Sequence, residues 1–220
     1  MSLPSLQDQF AALIATSSVS CTQPHWDQSN RAVIDLLAGW LADLGFACEI
    51  QEVVPGKANL LATFGSGPGG LVLAGHSDTV PFDAALWHSD PLRLTAQGDR
   101  WVGLGVCDMK GFFPLVIEAL RGLLDQPFRQ PLLVLATCDE ESSMAGARAL
   151  AAAGRPLGRA AVIGEPTGLK PIRLHKGVMM ERIDILGQSG HSSDPSLGHS
   201  ALEAMQDVMG ELRLLRAQWQ

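Results

Sequence analysis

No lysine or arginine precedes Arg31, and nowhere in the 220 residues do basic residues gather into a tract. The first absence removes the charged region of a secretory signal peptide. The second, with a net charge of −7 and a pI near 5.3, leaves no basic face for phosphate and argues against a nucleic-acid partner. No apolar run approaches the roughly 20 residues that span a bilayer, so no membrane partner is expected either. Cysteine is scarce. Cys21, Cys48, Cys107 and Cys138 match no zinc-ribbon or CxxC spacing. Cys48 and Cys138 read as buried small hydrophobes, and disulfides are not expected without a mark of secretion. Internal repeats and low-complexity segments are missing too. What remains is a soluble, cytoplasmic protein, 46% hydrophobic and longer than one typical domain.

The apolar residues alternate between helical and strand patterns. Leu3, Leu6, Phe10, Leu13 and Ile14 have helical spacing. Val33, Leu36, Leu37, Trp40, Leu41 and Leu44 form a stronger stripe that stops at Gly45. Strands are predicted over 47–54, 58–64 and 71–74, with a hairpin from 92–95 and 100–102. A helix follows to Leu124, with Pro114 in its first turn, where proline is tolerated. Residues 132–137 and 161–163 are strands around an Ala-rich helix at 143–153. Continuous apolar runs such as Leu71-Val72-Leu73-Ala74 mark strands covered on both faces. This is the pattern of an α/β fold, an open and mostly parallel sheet with helices on both faces, over residues 1–174. From 175 to 220 a strand at 178–186, a polar turn at 189–195 and a helix from near Ser200 to Gln220 make the first portion of a smaller α/β domain. One strand and one helix do not bury their own apolar faces.

The informative polar residues stand where the apolar strands end. They are His76 and Asp78, then Asp108, then Glu140 and Glu141, then Glu165. The gaps, 76 to 108, 108 to 141 and 141 to 165, are each close to one βαβ unit of about 30 residues. The chain thus delivers one cluster per unit to one edge of the sheet, where open α/β folds bind ligands. An imidazole among several carboxylates describes a divalent-metal site better than other chemistry. An aspartate two residues after a histidine can hold the ring's second nitrogen. Adjacent glutamates leaving a strand point in different directions, so one can bind metal while the other acts as a general base. Each element has a plainer reading as a solvated acidic loop or a helix-capping aspartate. Their recurrence after successive strands outweighs it. His25 and His199 read as solvent-facing, and Lys176 as a surface lysine.

Four motifs resemble those of the M20 family of di-zinc peptidases and deacylases. They are Gly75-His76-Ser77-Asp78-Thr79-Val80-Pro81, the loop 103–111 with Asp108-Met109-Lys110-Gly111, the segment 137–141, and Gly164-Glu165-Pro166-Thr167. Within the family, His175-Lys176-Gly177 and residues 187–195 are most similar to the branch that deacetylates N-acetyl-L-ornithine in arginine biosynthesis. The resemblance implies a catalytic domain holding two divalent ions, zinc or cobalt. His76 and Glu165 would bind one ion, Glu141 the other, and Asp108 would bridge both. Glu140 would be the general base and Asp78 would orient His76. His191, on a lid domain, would stabilise the oxyanion across a homodimer. Implied substrates are small N-acyl amino acids, or dipeptides in other branches. Family members run well beyond residue 220 and include a further histidine ligand. A catalytically inactive fragment is therefore a third reading of this chain.

Overall fold

The computed structural model describes residues 3–123, 128–174, 176, 177, 179 and 181–219. The chain divides into two compact units, Met1–Pro171 and Ile172–Gln220.

The first unit is built on a sheet in the order β1-β2-β6-β3-β7. Its strands are β1 (Ala47–Val54), β2 (Lys57–Phe64), β3 (Leu71–His76), β6 (Leu132–Thr137) and β7 (Ala160–Ile163); β4 (Thr95–Gln97) and β5 (Arg100–Val102) form a separate hairpin. β3 pairs in parallel with β6 and β7, while β2 runs antiparallel to β1 and to β6. Four of the five strands therefore point one way and only β2 is reversed.

Alternating side chains send the apolar strands to two cores. Leu60 and Ala62 of β2 and Leu132, Val134 and Ala136 of β6 join a cluster with helices α1 (Leu6–Ala15), α2 (Arg31–Asp43) and α3 (Phe112–Arg121). Leu61, Val72, Leu133 and Leu135 face the other way, against Leu150 of α4 (Ala145–Ala153) and Leu157. Helices thus cover both faces of β2 and β6, as their apolar runs required, whereas the apolar run of β7 is exposed, with Val162 and Ile163 uncovered. α3 links β3 to β6 on one face, and α4 links β6 to β7 on the other. The connections part at β3, and a crevice beyond the strand ends is where such folds take ligands.

Close contacts lock the loops at that edge. Lys110 is 1% exposed, and its Nζ donates to the carbonyls of Leu13 (2.8 Å) and Thr16 (2.9 Å). It thereby satisfies oxygens that the end of α1 leaves unpaired. Burial pulls its pKa down to about 8, with Asp78 acting in the opposite sense. A Cβ at Gly164 would run into the Phe112 ring, and one at Gly75 into Met109, Phe113 and Phe112, so neither position has room for a side chain.

Some expectations are displaced. The first hairpin strand begins at Thr95, because Asp90 folds Leu92 and Arg93 into a turn by accepting both backbone N–H groups. α3 ends at Arg121, and the predicted end at Leu124 lies outside the described residues. Cys138 is buried, but Cys48 is exposed, since β1 is an edge strand covered by a neighbour on one side only. His25 and His199 are exposed as expected.

In the second unit, residues 181–186 form no strand. Alternation alone does not make one without a partner to pair with. Val178 and Met180, from the same predicted strand, lie outside the described residues, as do His175 and Gln220. The described elements are an isolated bridge between Gln188 and His199, a short 3₁₀ turn at Pro195–Leu197, and the long helix α5 (Ala201–Trp219). No helix among the described residues is long and apolar enough to cross a membrane.

We expect Gly164→Ala to cost about 1–3 kcal/mol, the usual penalty of forcing atoms into a packed site. The added methyl must displace the Phe112 ring, which occupies the space a Cβ there would need. A urea titration should show a lower midpoint with an unchanged slope. An unaltered midpoint would mean that the ring moves freely.

Candidate metal centre

The ends of β3, β6 and β7 and the loop before α3 converge on one imidazole. His76, 2% exposed, closes β3. Its Nε2 lies 3.1 Å from an oxygen of Asp108, 3.8 Å from one of Glu165 and 3.9 Å from one of Glu140. Two triplets, His76–Glu140–Glu141 and His76–Asp108–Glu165, each bring their ligand atoms within 4.8 Å of one another. All five residues named from the sequence as metal or base candidates are therefore neighbours.

The other ring nitrogen reveals what Nε2 offers. Nδ1 of His76 sits 3.0 Å from the backbone carbonyl of Asp78. A carbonyl oxygen only accepts, so Nδ1 carries the hydrogen and the neutral ring turns the Nε2 lone pair to the carboxylates. Acceptor then faces acceptor, and a cation is needed between them. An imidazole nitrogen with hard carboxylate oxygens suits a divalent first-row ion. The residues present fit a metal.

The electrostatics of the cluster point the same way. Burial pulls the His76 pKa down, but Asp78, Glu140, Glu165 and Glu141 together raise it above its usual value. Burial and then Asp108 push Glu141 up to about 7, with His76 opposing. Glu165 is raised by burial, again against the pull of His76.

Asp78 does more than its expected work on His76. Its carboxylate lies 3.6 Å from Nδ1, beyond hydrogen-bond reach, and the backbone carbonyl holds the ring instead. The carboxylate accepts the backbone N–H groups of Glu140 (3.2 Å) and Glu141 (3.1 Å). It fixes the turn that presents the glutamate pair. Burial raises its pKa, while His76 and those two N–H groups pull it down.

Three participants went unread in the sequence. Asp139 takes a left-handed conformation, φ 56°, just before Glu140. Lys57, 4% exposed, reaches Asp139 from the start of β2. Asn30 bonds both Ser77 and the carbonyl of Ala58. A signal existed for Lys57, a lone cation opening an otherwise apolar strand. The remaining candidate, His191, belongs to the second unit and is exposed. Its Nδ1 accepts the Ser193 N–H at 3.2 Å and lies 2.7 Å from the Ser193 hydroxyl.

The raised pKa values set a pH dependence. Glu141, Glu165 and His76 all hold protons more tightly in the folded, metal-free protein than in the unfolded chain. Their contribution to stability is complete below the ordinary glutamate value of 4.5 and is lost as pH rises through about 7. The metal-free protein should therefore lose thermal stability between about pH 5 and pH 8 relative to a protein lacking the cluster. Added zinc should raise the melting temperature more at the upper end, where the ligands are deprotonated. A metal-induced gain that does not grow with pH would refute this account.

Comparison with known proteins places the chain. A model of peptidase family M20/M25/M40 matches residues 72–217. The chain is 51% identical to the acetylornithine deacetylase of Vibrio campbellii over 216 residues, which are 98% of this chain and 57% of that protein. It is 53% identical to that of Proteus mirabilis, over 97% of this chain and 56% of that protein. The chain thus spans a little over half the length of the curated relatives it matches. Among solved structures, a Staphylococcus aureus tripeptidase shares the fold with TM-score 0.63 and 17% identity, over 93% of this chain and 55% of that one. An M20 metallo-carboxypeptidase from Sulfolobus solfataricus does so with TM-score 0.55 and 20% identity, over 63% and 32%. The family implies use of a divalent metal ion, in agreement with the donor set around His76. With the family model matching well over half of its residues, this chain is a member of peptidase family M20/M25/M40.

Proposed function

We propose that this chain is the metal-binding portion of an enzyme that hydrolyses the amide of N-acetyl-L-ornithine to L-ornithine and acetate. The observation that carries the reading is identity of about half over nearly the whole chain to acetylornithine deacetylases. The chemistry of the site supports it. His76, Asp108, Glu141 and Glu165 would hold two divalent ions, zinc or cobalt, with Asp108 shared. Such ions polarise an acyl carbonyl and lower the pKa of water towards about 7.

The chain's own residues supply the rest. Glu140 keeps its side chain 37% exposed while Asp78 fixes its backbone. That leaves its carboxylate free to accept a proton from the attacking water and deliver it to the leaving amine, as a general base then acid. His191 complements it. Because Nδ1 accepts the Ser193 N–H, the neutral ring carries its hydrogen on Nε2. That N–H is a donor suited to the oxyanion of the tetrahedral intermediate. We infer that it acts across a homodimer of cytoplasmic enzyme, with residues 1–174 as the catalytic part and 175–220 as part of a lid.

Mutation of the glutamate pair tests the division of labour in the active enzyme. Glu140→Gln should keep its metal and lose about 10²–10⁴-fold in kcat, the range for a lost acid–base group. Glu141→Gln should instead lose metal. Metal analysis beside steady-state kinetics decides, and metal loss from Glu140→Gln would reverse the assignment. Parallel assays on N-acetylcitrulline, succinyl-diaminopimelate and a dipeptide test the substrate. Faster turnover of any of these than of N-acetylornithine would overturn it.

His191→Ala should cut kcat by about 10²–10³-fold, as for loss of one oxyanion donor. Metal content and KM should stay nearly unchanged. Mixing it with Glu140→Gln should restore some activity through hybrid dimers. No recovery in mixtures shown to exchange subunits would exclude action between subunits.

A further inference from the structure

We propose that Lys57 is a positioning residue for Glu140, acting as a buried ammonium that links Asp139 to Asp27. The inference rests on the reading of Glu140 as the general base. β2 and β6 run antiparallel with Leu60 opposite Ala136. Continuing that register past the end of β6 sets Lys57 opposite Asp139. The Lys57 ammonium lies 2.7 Å from an oxygen of each aspartate, and its side chain is 5% exposed. Burial disfavours the charge, but the hydrogen bonds it donates to Asp139 and Asp27 outweigh it and the lysine stays protonated.

What the cluster holds is the tight turn that presents Glu140 and Glu141. Asp139 has φ 56°, in the left-handed region that aspartate and asparagine visit more readily than other non-glycine residues. The Asp139 carbonyl accepts the Met144 N–H at 2.6 Å and so closes the turn around Glu140 and Glu141. Lys57 grips the same residue by its side chain. Asp27 extends the grip, since its carboxylate also accepts the Cys21 N–H at 3.0 Å. The loop before α2 is stitched to the same turn a second time, where the Ser20 and Ser142 hydroxyls meet. Asp78 thus fixes the backbone of the glutamate pair from the β3 side, and Lys57 fixes the preceding residue from the β2 side. Freeing one side lets the Glu140 carboxylate swing while the remaining ligands stay gathered round His76.

The test compares kcat, KM and metal content in the active enzyme. Lys57→Met leaves two carboxylates unpaired and is expected to fold poorly, so the informative pair is at Asp139. Asp139→Gly accepts the positive φ without strain, and Lys57 keeps Asp27 as partner. It should nonetheless lose about 10–100-fold in kcat, the scale of a small misplacement of a catalytic group. KM and metal content should stay nearly constant. Asp139→Asn tolerates the left-handed region and still offers Lys57 an oxygen, so it should recover most of the kcat. A glycine variant within about twofold of the parent overturns the proposal, as does an asparagine variant equally impaired, or loss of metal from the glycine variant. Substantial turnover by Glu140→Gln would instead sink the reading of the base itself, whatever the Asp139 variants do.

Discussion

A backbone carbonyl decides what this site can bind. By accepting the hydrogen on Nδ1 of His76, the Asp78 carbonyl turns the lone pair of Nε2 towards three carboxylates. Lone pair against carboxylate is repulsive, and the imidazole side of the contact is buried at 2% exposure. A proton relieves part of the conflict, and the raised pKa values of His76, Glu141 and Glu165 express that relief. His76, Asp108, Glu141 and Glu165 are the groups that would hold a divalent ion, whose charge would relieve more of it. The site is costly when empty and favourable when filled, which couples metal to folding.

Such a site survives only on a frame that forbids the carboxylates to drift apart. The parallel pairing of β3 with β6 and β7 fixes three of the strand ends at hydrogen-bond spacing. α3 and α4 leave on opposite faces, so neither crowds the crevice. Phe112 presses on Gly75 and Gly164, one residue away from His76 and Glu165. Lys110 ties the loop of Asp108 to the end of α1. Each candidate ligand therefore has a restraint on or next to its own backbone.

The strands, their order of use and the five acidic or imidazole candidates were legible because their signals are local. An apolar run of six residues followed by a carboxylate is visible in one dimension, as at 132–137 before Glu140. Lys57 was not legible for the opposite reason. Its partners Asp27 and Asp139 lie 30 and 82 residues away, and only the reversed direction of β2 brings it to the site. The left-handed turn at Asp139 is equally silent, since aspartate there resembles any acidic loop. Residues 181–186 misled in the other direction. Their alternation is a true strand pattern, but pairing is a property of the neighbour, and periodicity says nothing about the neighbour.

The two histidines named from the sequence differ in a way that only hydrogen-bond geometry reveals. His76 gives its Nδ1 hydrogen to a carbonyl, and His191 receives at Nδ1 the N–H of Ser193. The neutral rings are therefore opposite tautomers. One turns a lone pair outward and selects for a cation. The other leaves an N–H on Nε2, which in the proposed reaction would serve an oxyanion. The proposed hydrolysis of an amide would call on both kinds of group, an electrophile for the carbonyl and a donor for the oxygen as charge develops on it. Two backbone groups, a C=O and an N–H, are sufficient to give the same side chain these opposed duties.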